Sequence, residues 1–312
     1  MVRGRYAPTP SGDLHLGNAR TALLAWLSVR AQGGAFVLRM EDLDKPREAP
    51  GAAARILDAL RWLGLDWDEG PDVGGPFDPY DQSRRGTRYD AAVEALVLRK
   101  LAYECFCSRA EVAAASNAPH PGEEGPRYPG TCRTCPPERA AARRAAGRYP
   151  SVRLQVPPGA IRFHDLFLGP QAIDVDAQVG DFVIRRVDGV AAYQLAVAVD
   201  DAAMGITEVI RGDDLLSSTP RQLLVYQALD LRAPSFGHVP LVLGPDGGRL
   251  AKRNGARSLP ELRAKGEDPK AICGLLASMS GLASAGERVT PRELVSRWDP
   301  EKLPKGPARL PG

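Results

Sequence analysis

APTPSGDLHLGNAR, residues 7–20, decides how the rest of the chain is read. Residues 3–7 (RGRYA) have the makings of a short strand that ends at Pro8. Pro10, Ser11 and Gly12 then supply a turn. From about residue 16 a helix is expected, and its body NARTALLAWLSVRAQGG (18–34) is rich in helix formers and closed by Gly33-Gly34. The first N–H groups of such a helix are free and carry partial positive charge, which makes a natural seat for an anion. His15 and Asn18 lie within reach of a phosphate or ribose at that turn, and Gly17 lets a flat ring approach the backbone. Taken alone, the stretch also fits an ordinary turn with a half-buried histidine.

Outward from it, AFVLRMED (35–42) reads as a strand with acids at its carboxyl end. Residues 50–64 form an amphipathic helix with Ile56, Leu60 and Leu63 on one face and Gly64 as its stop. Residues 87–101 repeat the pattern with Tyr89, Val93 and Leu96. Strand, glycine turn, helix, strand, helix predicts an α/β fold with a parallel sheet, its first half spanning residues 1–101. The character changes over 102–190, with a cysteine window, an Arg-Ala stretch (139–148) and short β-like runs such as YPSVRLQV and DFVIRRVDG; this reads as an inserted module. The α/β pattern resumes over 191–257 with AAYQLAVAVDD, GITEVIRGDD and a helix opened by SSTPRQ, where Pro220 suits the first helical position. HVPLVLGPDGG adds another strand and turn. Short helical pieces fill 258–312, and PEKLPKGPARLPG looks frayed. No internal repeat is visible.

At 312 residues, 44% apolar and 25% charged, the chain suits one or two globular domains with a sizeable core. No run of about 18 apolar residues suggests a membrane span. The start, MVRGRYAPTP, lacks the apolar region of a secretory signal, so a cytoplasmic protein is expected. A net charge of +3 is too small to argue for nucleic-acid binding by itself. Residues 96–150, however, hold nine Lys and Arg against five Asp and Glu, a hint of a polyanion-facing module. Of the five cysteines, Cys105, Cys107, Cys132 and Cys135 share a 31-residue window, which in a cytosolic setting reads as metal before disulfide. Spacing alone, C-x-C with C-x₂-C, would make a four-cysteine tetrahedral zinc site. Cys273 stands apart and reads as a core thiol.

GGRLAKRNG (247–255) places Lys252 and Arg253 on a glycine-rich arm. An ammonium there can stabilise charge developing on a phosphate, and a guanidinium adds a planar fork. A solvated basic loop is the plainer reading.

Taken together, HLGN and LAKR on an α/β chain resemble the paired HIGH and KMSKS signatures of class I aminoacyl-tRNA synthetases. RYAPTPSGDLHLGNARTALLAW, VLRMEDLDKPRE, LRWLGLDWDEGP, YDQSRRGTRYDAAVEAL and VIRGDDLLSSTPRQ are similar to the glutamyl subgroup, over residues 3 to about 257. The resemblance implies a Rossmann-like class I catalytic domain with an inserted zinc-binding, acceptor-type module. About 55 residues follow LAKRNG, fewer than a helical anticodon-binding domain needs. That resembles the subgroup's truncated members, which lack such a domain and act as monomers. They activate L-glutamate with ATP and Mg²⁺ without tRNA, then attach it to queuosine in the anticodon of tRNA(Asp).

By this resemblance Arg5, Ala7 and Thr9 line the amino-acid pocket, with Arg5 suited to clamp the side-chain carboxylate. Glu41 would hold the α-ammonium, and Tyr193 and Arg211 complete the glutamate site. His15, Gly17, Asn18, Lys252 and Arg253 would bind ATP, with His15 and Lys252 nearest the chemistry. For Arg211 the plainer reading is a surface salt bridge to Asp213 or Asp214. Arg249 and Ala251 depart from the second signature, whose pattern has Lys and Ser there. The subgroup's zinc pattern, C-x-C…Y-x₃-C, matches Cys105, Cys107, Tyr128 and Cys132; spacing chemistry favours Cys135 as fourth ligand, the resemblance favours Tyr128. Such a zinc would be structural. Two other readings stand beside glutamylation of queuosine: charging of a tRNA 3′ end, and a non-catalytic tRNA-binding relic, suggested by Ala251.

Overall fold

A computed structural model describes residues 1–115, 126–244 and 258–309. The chain opens with β1 (Arg3–Tyr6), α1 (Leu16–Ala31) and β2 (Ala35–Leu38), followed by α2 (Ala52–Leu63) and α3 (Gly86–Leu98). The middle stretch holds β3 (Ala102–Cys105), α4 (Arg109–Ala115), α5 (Pro137–Ala145), β4 (Ser151–Leu154), β5 (Ile161–Asp165), β6 (Gly169–Ile173), α6 (Val175–Gln178) and β7 (Val183–Arg185). Then come α7 (Tyr193–Ala203), β8 (Glu208–Gly212), α8 (Ser218–Ala228), β9 (Ser235–Val239) and β10 (Val242–Leu243). The last described part carries α9 (Leu259–Ala264), α10 (Pro269–Ser278), α11 (Pro291–Leu294) and β11 (Ala308–Arg309).

The main sheet is six-stranded, in the order β2-β1-β8-β9-β5-β6. The pairs β1–β2, β1–β8, β8–β9 and β5–β9 are parallel, and only β6 runs antiparallel, against β5. From β1 the chain moves to β2 on one side, and β8 lies on the other. The crevice between the carboxyl ends of β1 and β8 is therefore the switch point at which open α/β sheets bind ligands.

Phe36, Val37 and Leu38 are all buried, as a parallel strand covered on both faces requires. One face packs on α1, α2 and α10 through Leu23, Leu27, Leu60 and Leu276. The other packs on α7 and α8 through Leu195, Val199 and Val225, and continues into the small sheet β3-β4-β7 through Val152, Leu154 and Ile184. α1 is buried on nearly every side because it lies between sheet and C-terminal helices. Gly4 permits its close approach, since a Cβ there would run into the Val29 side chain. Arg20, buried in α1, ties the two parts together through Ser280 Oγ at 2.9 Å and the Pro240 carbonyl at 2.7 Å. Cys273 is a core thiol, as expected, and burial pushes it up to about 12.

Three expectations need correction. The hairpin β5–β6 lies inside the 102–190 stretch but extends the main sheet: Asp165 pairs in register with Phe236 of β9. Its strands alternate half-buried with exposed residues at an edge, so they carry little apolar signal. α8 starts at Ser218, which makes Pro220 its third residue, still within the turn whose N–H groups lack intrahelical partners. The supposedly frayed end is ordered as far as Arg309: Ala308 and Arg309 pair with Val242 and Leu243, and Leu303 and Ala308 are buried. Among the described residues no helix is long and apolar enough to cross a membrane.

Candidate active site

At the switch point β1 runs into the Pro-Gly turn, and the turn runs into α1. His15 is the N-cap of α1, with extended backbone and no side-chain capping bond. The first helical hydrogen bond runs from Ala19 N–H to the His15 carbonyl, which leaves the N–H groups before it without helical acceptors. No acidic residue occupies that first turn. The positive end of a 16-residue helix thus opens, uncompensated, toward a cavity of about 490 Å³.

Arg5, Ala7, Thr9, His15, Gly17, Asn18, Glu41, Tyr193 and Arg211 all line that cavity. They come from β1, the turn, the start of α1, the segment after β2, the first turn of α7 and β8. Lys252 and Arg253, together with Arg249 and Ala251, lie outside the described residues. The residues on either side of that stretch do touch the site: Val242 lines the cavity, Ser258 pairs with His15, and Leu259 N–H donates to the Leu14 carbonyl at 2.8 Å.

Two of the described arginines line the cavity, and they are held differently. Arg5 is paired with Asp201, at 3.3 and 3.4 Å. Arg39 also binds Asp201, at 2.7 Å, and reaches Glu41 at 3.2 Å. Asp200, beside it on α7, accepts from Arg85 at 2.6 Å, Tyr89 at 2.7 Å and Gln82 at 2.9 Å. Arg211 instead donates to neutral acceptors: His238 Nε2 at 3.0 Å, Gln222 Oε1 at 2.8 Å and Thr219 Oγ1 at 2.8 Å. It is only 4% exposed, and among the described residues it forms no salt bridge with Asp213 or Asp214, so the surface-pair reading is set aside. Burial lowers its pKa, opposed in part by Tyr193.

Burial also raises the Glu41 carboxyl, against the pull of Arg39 and Arg5. It lowers His15, whose Nδ1 is buried and, among the described residues, without a hydrogen-bond partner. An orphaned imidazole nitrogen beside an open helix end, with two guanidiniums and a carboxylate nearby, is a cradle for a zwitterion next to a polyanion.

Arg39, Asp200, Asp201, Thr219, Gln222 and His238 were not singled out from the sequence. The available signal was charge in a buried context: Arg39 follows three buried strand residues, and Asp200-Asp201 close the apolar run LAVAV.

Beside the small sheet, the sulfurs of Cys105, Cys107 and Cys132 lie within 4.8 Å of one another, the last two 3.5 Å apart. The Tyr128 hydroxyl is 3.3 Å from Cys105 Sγ and 3.9 Å from Cys107 Sγ. Cys135 Sγ instead faces the Pro136 carbonyl at 3.7 Å. Zinc–sulfur bonds of about 2.3 Å set tetrahedral S···S spacings near 3.8 Å, and this donor set fits that geometry. The Arg153 guanidinium stacks 3.8 Å from the Tyr128 ring centroid and supplies positive charge beside groups that would have to lose protons to hold a metal.

A switch-point cavity headed by an open helix end defines the nucleotide-using α/β class to which synthetase catalytic domains of the first type belong. The chain belongs to the class I tRNA synthetases of the E and Q type: the model of their catalytic domain matches residues 1–307. It is 55% identical over 312 residues to the glutamyl-Q tRNA(Asp) synthetase of Symbiobacterium thermophilum, covering all of this chain and 96% of that protein. Glutamate–tRNA ligase 1 of Halorhodospira halophila is 48% identical over 310 residues, 99% of this chain and 65% of that one. Among solved structures, the glutamate–tRNA synthetase of Elizabethkingia anophelis superposes with a TM-score of 0.87 at 32% identity, covering 100% of this chain and 68% of that one.

Proposed function

We propose that this enzyme activates L-glutamate with ATP, without tRNA, and transfers the glutamyl group to queuosine in the anticodon of tRNA(Asp). One observation carries the reading: Arg5, Arg211, Glu41 and Tyr193 share a cavity with the open N-terminus of α1. One half suits an amino acid with an anionic side chain, the other a triphosphate. The similarity over nearly the whole length of a glutamyl-Q tRNA(Asp) synthetase supports the choice of acceptor.

In the first step a glutamate α-carboxylate oxygen attacks the α-phosphorus of ATP. A P–O bond forms, the bond to the β-phosphate bridge breaks, and pyrophosphate leaves. No protein nucleophile is needed, so the residues act by position and charge. Glu41 accepts the α-ammonium and Arg5 and Arg211 the side-chain carboxylate, with Tyr193 beside them. Ala7 and Thr9 form the floor. The N–H groups around Gly17 and Asn18, with His15, receive ATP, which enters as its Mg²⁺ complex. Lys252 and Arg253 supply the charge that meets the pentavalent phosphorus. In the second step the adenylate yields its glutamyl group to queuosine and AMP leaves.

Cys105, Cys107, Tyr128 and Cys132 hold one structural Zn²⁺ in this reading. With these four residues as ligands a bound zinc would serve a structural role, tying the end of β3 to the 128–132 turn.

Exchange of radiolabelled pyrophosphate into ATP, dependent on glutamate and free of tRNA, tests the first step; its absence would leave a non-catalytic relic. A panel of queuosine-containing tRNA(Asp), unmodified tRNA(Asp) and tRNA(Glu) tests the second. Label on tRNA(Glu) would favour 3′-end charging, the reading that similarity to glutamate–tRNA ligases supports.

A further inference from the structure

Behind Arg211 lies a chain of buried groups that the proposed chemistry does not use. Asp165, the last residue of β5, accepts at Oδ1 from the backbone N–H groups of Phe167 and Leu168, both at 3.0 Å, and of His238 at 3.2 Å. Its Oδ2 is left for His238 Nδ1, 2.5 Å away. Both side chains are fully buried. A carboxylate so placed accepts a proton-bearing nitrogen, which assigns the Nδ1–H tautomer to the imidazole. Nε2 is then a lone pair. It accepts from Arg211 Nε at 3.0 Å and faces the Thr219 hydroxyl at 3.1 Å.

Burial would by itself raise the Asp165 carboxyl, but the His238 ring and the Leu168 and Phe167 N–H groups outweigh it and hold it below the ordinary range. Burial lowers His238, and the neighbouring Arg211 charge adds to this against Asp165. A neutral ring beside an ionised carboxylate is what the tautomer requires.

We propose that Asp165 and His238 are positioning residues for substrate selection: by fixing a neutral acceptor behind Arg211, they aim its guanidinium into the cavity with no carboxylate bonded to it among the described residues, and so set the preference for an amino acid with an anionic side chain over its amide. The proposal rests on the glutamate site described above. A carboxylate in place of His238 would anchor Arg211 as firmly, but would neutralise it. An imidazole held in the other tautomer would present N–H to N–H and turn the guanidinium away. Asp165 comes from the hairpin and His238 from β9, so the pocket's selectivity draws on an element outside the pocket.

Asparagine and glutamine at position 238 separate the two nitrogens of the ring. The H238N amide can reach Asp165 but leaves Arg211 Nε without its acceptor; the H238Q amide oxygen can reach the place of Nε2. Asp165→Asn keeps the shape and removes the charge that fixes the tautomer. Pyrophosphate exchange on the full chain gives KM for glutamate and ATP, glutamine serves as competing amino acid, and thermal melting reports folding. If the wild-type chain shows no glutamate-dependent exchange, the functional reading itself falls, and glutamate binding by calorimetry then decides the relay on its own. With exchange present, H238N and D165N are expected to raise the glutamate KM at least about tenfold, with ATP KM and glutamine inhibition moved less than about twofold, and H238Q to lie several-fold closer to wild type. Equal losses for glutamate, glutamine and ATP, equal effects of H238N and H238Q, or a glutamate KM within about twofold of wild type in D165N would each overturn the proposal.

Discussion

Arg211 brings to the cavity a positive charge that none of its hydrogen-bond partners among the described residues cancels, whereas Arg5 arrives already paired with Asp201. The two are therefore held unequally: Arg5 shares the Asp201 carboxylate with Arg39, whereas Arg211 meets only neutral hydrogen-bond acceptors among the described residues. Arg211→Gln is expected to raise the glutamate KM by roughly ten- to hundredfold, the loss of a charged hydrogen bond worth about 1.5–3 kcal/mol, read in pyrophosphate exchange. Lys252→Ala should slow activation at least about tenfold, or ~1.4 kcal/mol of transition-state stabilisation; an unchanged rate would remove Lys252 from the mechanism. Behind the pocket, Asp200 serves Arg85, Tyr89 and Gln82 at once. Asp200→Ala strands a buried guanidinium and should cost about 3–5 kcal/mol in urea denaturation.

At the scale of elements, the turn between β1 and α1 was the most legible part of the chain. Pro10, Ser11 and Gly12 announce it, and helix formers follow at once. The helix 52–63 was equally clear, because Ile56, Leu60 and Leu63 share one buried face. The hairpin β5–β6 was not legible: an edge pair with alternate residues exposed, among His, Arg, Gly and Pro, offers no apolar run. Spacing alone could not separate Tyr128 from Cys135 beside the three clustered sulfurs, since it cannot tell that the chain after Cys132 turns Cys135 toward Pro136. Metal analysis of purified protein should find about one zinc per chain, lost in Cys105→Ser and kept in Cys135→Ser. The reverse result would return the fourth position to Cys135.

Over the whole molecule, buried charge is distributed as networks that join distant segments. Asp201 links β1 to α7 through Arg5, Asp165 links the hairpin to β9, and Asp181 links β7's approach to Arg133 and Tyr103. For Asp165, Asp181 and Asp201 burial favours the neutral acid, but cationic and hydrogen-bond partners outweigh it and depress each pKa. A depressed carboxyl contributes stability that is complete above the unfolded value, near 3.9, and is lost as pH falls through the lower folded value. The urea midpoint should therefore decline gently below neutrality, because burial lowers His15 and His238 and their rings take up protons more readily when unfolded, and then drop steeply below about pH 4 as the carboxylates protonate. A flat profile down to pH 3 would contradict the ionised networks. None of these links could be read from the sequence, because partners such as Arg5 and Asp201, 196 residues apart, meet only once the sheet is assembled.

The edge hairpin has a consequence for recombining this protein with its relatives. Cutting at residues 102 and 190, where composition changes, would carry β5 away with the small sheet and leave a gap beside β9. A transplant that moves only the cysteine-bearing lobe must therefore leave residues 161–173 with the recipient. Otherwise the donor's Asp165 travels with it, and amino-acid choice is exchanged along with the surface that was meant to be swapped.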